Sequence, residues 1–141
     1  MEKKHLHIAA GIIRNSQEKI FITKRPEGSH MAGFWEFPGG KLETNESPEA
    51  ALVRELEEEV GIIVTKSELF HRVDHEFDDR FITLYFFIVS SWENEPYGKE
   101  GQDSRWVYQH DLIADEFPPA NRIIVDLLTQ RSDQHNSWYW Y

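Results

Sequence analysis

The stretch Gly39–Ile62, GGKLETNESPEAALVRELEEEVGI, contains a glycine turn, a short acidic loop and a helix. Ser47 is a favourable N-cap residue, and Pro48 suits the first helical position because its missing N–H is not needed there. Gly61 is a natural stop, since glycine readily adopts the left-handed conformation that closes many helices. The sequence therefore predicts a helix over Pro48–Val60, roughly 20 Å long at 1.5 Å per residue.

Helical spacing divides this segment into an apolar face and an acidic face. The apolar face carries four residues, Leu52, Val53, Leu56 and Val60. Three carboxylates crowd together on the adjacent arc, because Glu55 precedes Glu58 by three residues and Glu59 by four. Clustered hard oxygen ligands suit a divalent cation such as Mg²⁺ or Mn²⁺. A glutamate run is also commonly a solvated face, so the run alone leaves both interpretations open.

The spacing of the fixed residues decides between these interpretations. Gly40 is followed after five residues by Glu46, and after seven more by a run that starts at Arg54 and reads R-E-L-x-E-E-x-G-I. At every fixed position this pattern resembles the signature of the Nudix hydrolases. The resemblance implies an α+β protein of the Nudix fold, an α/β/α sandwich with a mixed central sheet between helices. It also implies metal-dependent hydrolysis of a diphosphate linkage.

The resemblance also assigns roles to individual residues. The implied metal ligands are Gly40 (through its carbonyl), Glu55, Glu58, Glu59 and Glu100. The implied catalytic residues are Arg54, Glu55, Glu58 and Glu100. Either Glu58 or Glu100 is the general base, and Glu46 organises the loop before the helix, where the helix dipole favours an anion.

Outside the motif, the chain resembles the MutT-type branch of this family from about Leu6 to Leu128. The matching pieces include AAGIIRN, HMAG, EFPGGKLE, EPYGKEGQ and DEFPPAN. Enzymes of this branch hydrolyse 8-oxo-dGTP to the monophosphate and pyrophosphate, with water attacking the β-phosphorus. The implied substrate-binding residues are Arg25, His30, Phe37, Asp79, Arg80 and Asn121.

Asn121 has a chemical reason to read the oxidised base. An asparagine amide offers one donor and one acceptor, which together match O6 and the protonated N7 of 8-oxoguanine. Unoxidised guanine presents a lone pair at N7, so the amide oxygen would face another acceptor. By analogy with base readout in DNA, such a bidentate match is worth roughly 1–3 kcal/mol. An ordinary position in the first turn of a helix is the alternative role for this residue.

Composition narrows the class of protein and its partners. The chain has 141 residues, a formal net charge of −10 and no cysteine. These features favour a single domain, exclude disulfides and argue against binding to a nucleic-acid polymer. No signal-peptide pattern or apolar run of membrane-spanning length is present. We therefore expect a cytoplasmic monomer whose partner is a nucleoside triphosphate, with no membrane association.

The remaining elements follow from alternation of apolar residues and from turn signals. Strands are predicted at Lys4–Arg14, Ile20–Thr23, Ile62–Val64, Leu69–Phe77, Phe81–Val89 and Arg105–Tyr108. A short helical turn is predicted within Asp111–Phe117, followed by a closing helix over Pro119–Gln130 with Ile123, Ile124, Leu127 and Leu128 buried. Residues 1–130 form the predicted Nudix domain. Residues 131–141 form an aromatic tail that is either a frayed terminus or a contact segment.

Other functions remain open from the sequence. The chain could hydrolyse other triphosphates, such as normal or modified pyrimidine nucleotides. A catalytically inactive Nudix binding domain is less consistent with the sequence, since such domains lose motif glutamates and all four are present here. Lys24 and Trp35 depart from the residues that MutT-type enzymes carry, which puts the substrate loop in question.

Overall fold

A computed structural model describes the backbone of residues 3–138 and the side chains of residues 3–130. Within this range the elements are β1 (Lys4–Arg14), β2 (Lys19–Lys24), β3 (Trp35–Glu36), β4 (Gly39–Lys41), α1 (Pro48–Val60), β5 (Ile63–Glu76), β6 (Arg80–Glu93), β7 (Ser104–Tyr108) and α2 (Pro119–Trp138). Two 3-10 turns, Gln109–Asp111 and Ala114–Glu116, lie between β7 and α2, where a short helical turn is predicted.

The strands form one mixed sheet in the order β3-β2-β1-β6-β5, with β4 paired to β1 and β7 paired to β2. β1 and β6 run parallel, from the pair Lys4–Arg80 to the pair Ile13–Val89. All the other pairs are antiparallel. The strands predicted at Lys4–Arg14 and Ile20–Thr23 therefore pair as antiparallel neighbours, and the strand predicted at Phe81–Val89 lies between β1 and β5. The predicted glycine turn is instead the short strand β4, which pairs with β1.

The two faces of the sheet bury two separate hydrophobic clusters. In β6, Phe86 and Ile88 contribute to the cluster under α2, whereas Phe87 and Val89 contribute to the cluster under α1. This division follows from the two-residue period of a strand, which sends successive side chains to opposite faces. The sheet thus lies between the helices, and the predicted α/β/α sandwich is confirmed.

Helix α1 has the predicted bounds and caps. The Ser47 hydroxyl accepts a hydrogen bond from the Ala50 amide at 3.1 Å, and Gly61 is left-handed with φ of 74°. Four of its residues, Ala51, Leu52, Leu56 and Val60, are fully buried. Val53 is 38% exposed, so its predicted place on the buried face is wrong. The small residue Ala51 packs against the sheet instead.

Two elements are longer than the sequence indicates. β5 is continuous over Ile63–Glu76, because register shifts between Val64 and His71 absorb the irregularity that divides its sequence pattern. α2 continues to Trp138 rather than ending at Gln130, and no glycine or proline interrupts residues 131–138. Within α2, Ile123 is 48% exposed rather than buried, and Val125 is buried in its place. The tail prediction for residues 139–141 lies outside the described residues. No described helix combines the length and apolarity needed to span a membrane.

Candidate active site

Glu55 lies directly over the glycine pair of β4. A Cβ atom built on Gly40 would overlap the Glu55 carboxylate, and one built on Gly39 would overlap the backbone carbonyl of Ala9. The close approach of the β1 backbone requires glycine at position 39, and a side chain at position 40 would displace the Glu55 carboxylate. This approach brings the backbone of Gly40 against a carboxylate, as the predicted metal site requires.

Glu59 is the most buried carboxylate of the motif. One of its oxygens accepts a hydrogen bond from the Gly39 amide at 3.1 Å. The pKa of Glu59 is raised to about 8, mainly by burial and also by the nearby carboxylates of Glu36, Glu100 and Glu55, against the opposing effect of the Gly39 hydrogen bond. A carboxylate in such surroundings is poorly stabilised as an anion unless a cation or a proton is present.

Glu58 occupies a different environment from its two neighbours. Its side chain is 59% exposed and its carboxylate lies 3.4 Å from Arg54 Nη1. Unlike Glu55 and Glu59, it does not line the cavity described below. The structure therefore brings two of the three motif glutamates together over Gly39 and Gly40 and leaves the third on the flank of the helix.

Arg54 connects the helix to the loop that precedes it. Its Nε and Nη2 atoms donate to the two oxygens of Glu46 at 2.8 and 2.9 Å, and Nη1 donates to Glu55 at 3.0 Å. Nη2 also donates to the Lys41 carbonyl at 3.0 Å. The hydrogen bonds from Arg54 hold the pKa of Glu46 well below its usual range. Glu46 thus organises the loop, and Arg54 orients Glu55.

Glu55 and Glu59 face a cavity of about 650 Å³. It is lined by Lys24, Arg25, Pro26, Glu27, Gly33, Glu36, Gly39, Glu55, Glu59, Glu100, Gly101, Gln102 and Asp103. Glu100 reaches the cavity from the loop between β6 and β7, far from the motif in sequence. That loop is fixed to the end of α1, because Lys99 N and Gln102 Nε2 both donate to the Glu59 carbonyl, at 3.2 and 3.3 Å.

Two lining residues are absent from the predicted set. Glu36 forms an ion pair with Arg25 at 2.8 Å, and burial raises its pKa. Strand alternation could have indicated it, since Phe37 faces the opposite cluster. Lys24 also lines the cavity, and its Nζ lies 5.8 Å from the Trp35 ring centroid. Lys24 is paired with Trp35 across β2 and β3, so its side chain lies on the same face of the sheet as Trp35 and not on the face of Glu36.

The predicted substrate residues occupy two regions. Arg25 lines the cavity and donates to the His30 carbonyl at 2.6 Å, which fixes the loop between β2 and β3. Phe37 is buried on the α2 side, where its ring stacks on Phe117 with centroids 5.1 Å apart. Asn121 follows in the first turn of α2.

Arg80 and Asp79 lie at the start of β6. The guanidinium of Arg80 lies 5.0 Å from the Phe77 ring centroid and 3.7 Å from Asp79. Its Nε is buried without a hydrogen-bond partner among the described residues. Neither Arg80 nor Asn121 lines the carboxylate cavity, so the structure keeps the predicted base-binding residues apart from the carboxylates.

The donor set fits a hard divalent cation. Glu55, Glu59 and Glu100 offer carboxylate oxygens in a cavity that the half-buried Gly39 also lines, and carboxylate oxygens are the ligand class that Mg²⁺ and Mn²⁺ prefer. Within the part of the chain that is described, no three acidic or histidine side chains already form a complete ligand set.

Comparison with known proteins matches residues 9–127 to the NUDIX domain family. The chain is 54% identical to the 8-oxo-dGTP diphosphatase of Escherichia coli K12 over 122 residues, which cover 86% of this chain and 95% of the relative. It is 46% identical to the 8-oxo-dGTP diphosphatase of Haemophilus influenzae over 136 residues, which cover 96% and 98%. A solved structure from work on MutT of Aliivibrio salmonicida and Vibrio cholerae is similar, with a TM-score of 0.78 and 46% identity over 91% of this chain and 99% of that one.

Proposed function

The chain belongs to the NUDIX domain family, and from this premise we propose that it hydrolyses 8-oxo-dGTP to 8-oxo-dGMP and pyrophosphate. One water is consumed, and the bond that breaks joins the β-phosphorus to the oxygen that bridges the α- and β-phosphates. Removing an oxidised precursor before it is incorporated would prevent mutation, so the physiological role is sanitation of the nucleotide pool. The proposed reaction extends to 8-oxo-GTP and, less efficiently, to dGTP, because all share the guanine-type base and the triphosphate.

The observation that carries the hydrolytic part is the placement of Glu55, Glu59 and Glu100 around one cavity beside Gly39 and Gly40. α1 and the β6–β7 loop together supply these carboxylates, so a cation is needed to offset their repulsion of an anionic substrate. An inactive binding domain has no need of this arrangement. The identities of 54% and 46% to two 8-oxo-dGTP diphosphatases support the substrate.

A divalent cation is the expected cofactor, and Mg²⁺ or Mn²⁺ is the specific proposal. Glu55, Glu59, Glu100 and the Gly40 carbonyl would hold it, with Glu58 joining if its side chain turns inward. When bound, the cation neutralises phosphate charge and lowers the pKa of water. Glu58 or Glu100 accepts the proton of the attacking water, and both are exposed enough to exchange it with solvent. Arg54 keeps Glu55 oriented through the hydrogen bond at 3.0 Å.

The chain's own cations and polar groups would orient the nucleotide. Arg25 and His30 lie in the loop beside the cavity and are proposed to contact the sugar and phosphates. Phe37, Asp79, Arg80 and Asn121 are proposed to contact the base. For Asn121, the amide matches the O6 and N7–H pair of the oxidised base, and leaving a buried group unpaired penalises dGTP. A cytoplasmic location and a monomeric state remain predictions.

A steady-state panel with purified protein tests this proposal. Initial rates are measured for 8-oxo-dGTP, 8-oxo-GTP, dGTP, dCTP and dUTP with Mg²⁺ and with Mn²⁺, and products are separated to identify pyrophosphate. We expect kcat/KM for 8-oxo-dGTP to exceed that for dGTP by at least tenfold, the lower end of a bidentate contact. A kcat/KM for 8-oxo-dGTP no higher than for dGTP, or a higher value for a pyrimidine nucleotide, contradicts the substrate assignment.

The variant Glu55→Gln tests the carboxylate cluster independently of the substrate. It preserves the shape of the side chain and removes the charge, so turnover of every nucleotide should be lost while the fold persists. Circular dichroism and thermal unfolding check the fold. Near-normal activity in this variant would exclude the metal site proposed here.

A further inference from the structure

Three residues outside the motif make a continuous contact across the α2 side of the sheet. The guanidinium carbon of Arg105 lies 4.3 Å from the centroid of the Trp35 ring. The same guanidinium pairs through Nη2 with Glu116 at 3.1 Å. Arg105 in β7 thus joins β3 to the 3-10 turn that precedes α2. We refer to Trp35, Arg105 and Glu116 as the brace.

Both ends of the brace adjoin residues of the proposed site. Trp35 is followed by Glu36 and then by Phe37. Glu36 lines the cavity, and Phe37 stacks on Phe117. At the other end, Glu116 immediately precedes Phe117 and lies five residues before Asn121. The brace therefore spans from the strand that borders the cavity to the segment that carries the proposed base-reading residue.

The segment between Glu116 and Asn121 carries local hydrogen bonds, since Arg122 Nε donates to the Phe117 carbonyl at 3.1 Å and Asn121 N donates to the Pro118 carbonyl at 2.8 Å. Its regular structure is limited to the end of a 3-10 turn and the first turn of α2, separated by Phe117 and Pro118. The fully buried ring of Phe117 anchors it at one point. Burial of Ile124, Val125 and Leu128 fixes the course of α2, and a second contact at Glu116 would fix the segment that leads into this helix. The Arg105–Glu116 ion pair supplies that second contact.

The chemistry of the brace suits positioning better than stability. The Arg105 and Glu116 side chains are 46% and 42% exposed, and ion pairs so accessible to water contribute little to folding. A planar guanidinium can stack on an indole and bond a carboxylate at its edge at the same time, which a lysine ammonium cannot reproduce. The arrangement therefore fixes a direction rather than adding much to the free energy of unfolding.

We propose that Trp35, Arg105 and Glu116 are positioning residues that hold Asn121 at the angle needed to discriminate the nucleobase. This inference rests on the proposed role of Asn121 in reading 8-oxoguanine. None of the three residues lines the cavity that holds the carboxylates, so they act on KM and on base preference rather than on the hydrolytic step.

A double-mutant cycle between Arg105→Ala and Asn121→Ala tests the proposal. Each cation–π contact or exposed ion pair typically changes an equilibrium by roughly two- to fivefold. Arg105→Ala should therefore lower the ratio of kcat/KM for 8-oxo-dGTP over dGTP by roughly three- to tenfold, mainly through KM for 8-oxo-dGTP. In the Asn121→Ala background the same change should leave the ratio within twofold, because the brace acts through the asparagine. An undiminished effect in that background overturns the proposal.

Arg72→Ala is the matched control. Arg72 also combines an aromatic contact, 5.6 Å from the Tyr85 ring centroid, with an ion pair to Asp74 at 3.3 Å, but Tyr85 packs on the α1 side. It should leave the ratio unchanged. Trp35→Phe should retain most of the preference, since a ring remains, and Arg105→Lys should lose it despite the conserved charge. Equal losses for 8-oxo-dGTP and dGTP in Arg105→Ala would indicate a merely structural role and overturn positioning.

Failure of the brace can be separated from failure of the proposed function. If the unmodified protein shows no preference for 8-oxo-dGTP, the proposed function fails, and the base-directed role of the brace fails with it. If the preference is present and Arg105→Ala and Trp35→Leu both keep it within twofold, only the brace is overturned. Thermal unfolding of each variant ensures that the rates compare folded proteins.

Discussion

The carboxylate of Glu55 occupies the space that a side chain on Gly40 would need. Because the Gly40 carbonyl and Glu55 are both proposed ligands of one cation, adding a methyl group should separate them. A displacement of about 1 Å can cost on the order of 100-fold in rate, so we expect Gly40→Ala to lower kcat/KM by about that factor. The measurement is kcat/KM as a function of Mg²⁺ concentration.

The cause of that loss can be checked in a second background. If the overlap with Glu55 is responsible, Gly40→Ala should add little to the defect of Glu55→Gln, because the carboxylate is already inactive there. A loss of Mg²⁺ affinity in Glu55→Gln that deepens further with Gly40→Ala would contradict this explanation.

The raised pKa of Glu59 predicts a stability that depends on pH and on metal. Its pKa is about 8 in the folded protein and about 4.5 when the group is unperturbed, so the folded state binds the extra proton between these values. In EDTA, the contribution of Glu59 to the free energy of unfolding should be greatest below about pH 4.5. It should fall as the pH rises through 8. One pKa unit corresponds to about 1.4 kcal/mol, so the fall is on the order of a few kcal/mol.

Urea unfolding at several pH values in EDTA measures this effect, with Glu59→Gln as the control. The glutamine carries no ionisable group, so its profile should be flatter between pH 5 and pH 8. Mg²⁺ should restore stability most at the alkaline end, where it need not displace a proton. A parallel pH dependence in the two proteins would rule out Glu59 as its source.

Arg54 should not be replaceable by lysine. Its planar fork bonds both oxygens of Glu46 and still reaches Glu55, whereas a lysine provides one point charge. Changes to groups that orient metal ligands typically cost 10–100-fold in affinity or activity, and we expect Arg54→Lys to fall in that range. Mg²⁺ titration of the rate gives the apparent affinity. Arg72 is an exposed residue of β5, so Arg72→Lys should leave the apparent Mg²⁺ affinity unchanged. An equal loss of affinity in Arg54→Lys and Arg72→Lys would refute the prediction.

Lys24 should bind the substrate's phosphates. It is among the residues that line the cavity, and its Nζ, which lies 5.8 Å from the Trp35 ring centroid, would turn from that ring to reach a phosphate. A hydrogen bond to a charged group is worth about 1.5–3 kcal/mol, so Lys24→Met should raise KM for the triphosphate at least tenfold with a small effect on kcat. The salt dependence of KM should weaken in parallel.

Lys19→Met is the control for Lys24. Lys19 begins the same strand and also contacts a ring, with Nζ 4.9 Å from the Tyr108 centroid, but it does not line the cavity. Its replacement should leave KM and its salt dependence unchanged. If both variants raise KM equally, general surface charge rather than a phosphate contact is responsible.

The sequence predicts the features whose signals are local. α1 has its predicted bounds because Ser47, Pro48 and Gly61 carry capping information within the segment itself. The two-sided sheet follows from alternation in the strands. The length of α2 was predicted wrongly, because the aromatic composition of residues 131–141 suggested a separate tail. The helix continues because residues 131–138 contain no stop signal.

Long-range placement is what the sequence could not supply. Glu36 reaches Glu59 only because β3, two residues long, pairs with β2 at Thr23 and Lys24. The same pairing sets Trp35 beside Lys24. Glu100, by contrast, was predicted through resemblance, and its loop is seen fastened to the end of α1. The roles of the substrate residues stay predictions.

Glu36 and Phe37 are consecutive in the chain yet serve opposite sides of the sheet: one lines the carboxylate cavity and the other stacks under α2. The machinery for breaking the phosphoanhydride and the proposed surface for choosing a base are therefore separated by a single layer of backbone. Mutations can therefore change the base-selecting surface without changing the hydrolytic site. During evolution, substitutions at Trp35 and Arg105 would then alter which nucleotide is accepted while the hydrolytic site stays the same.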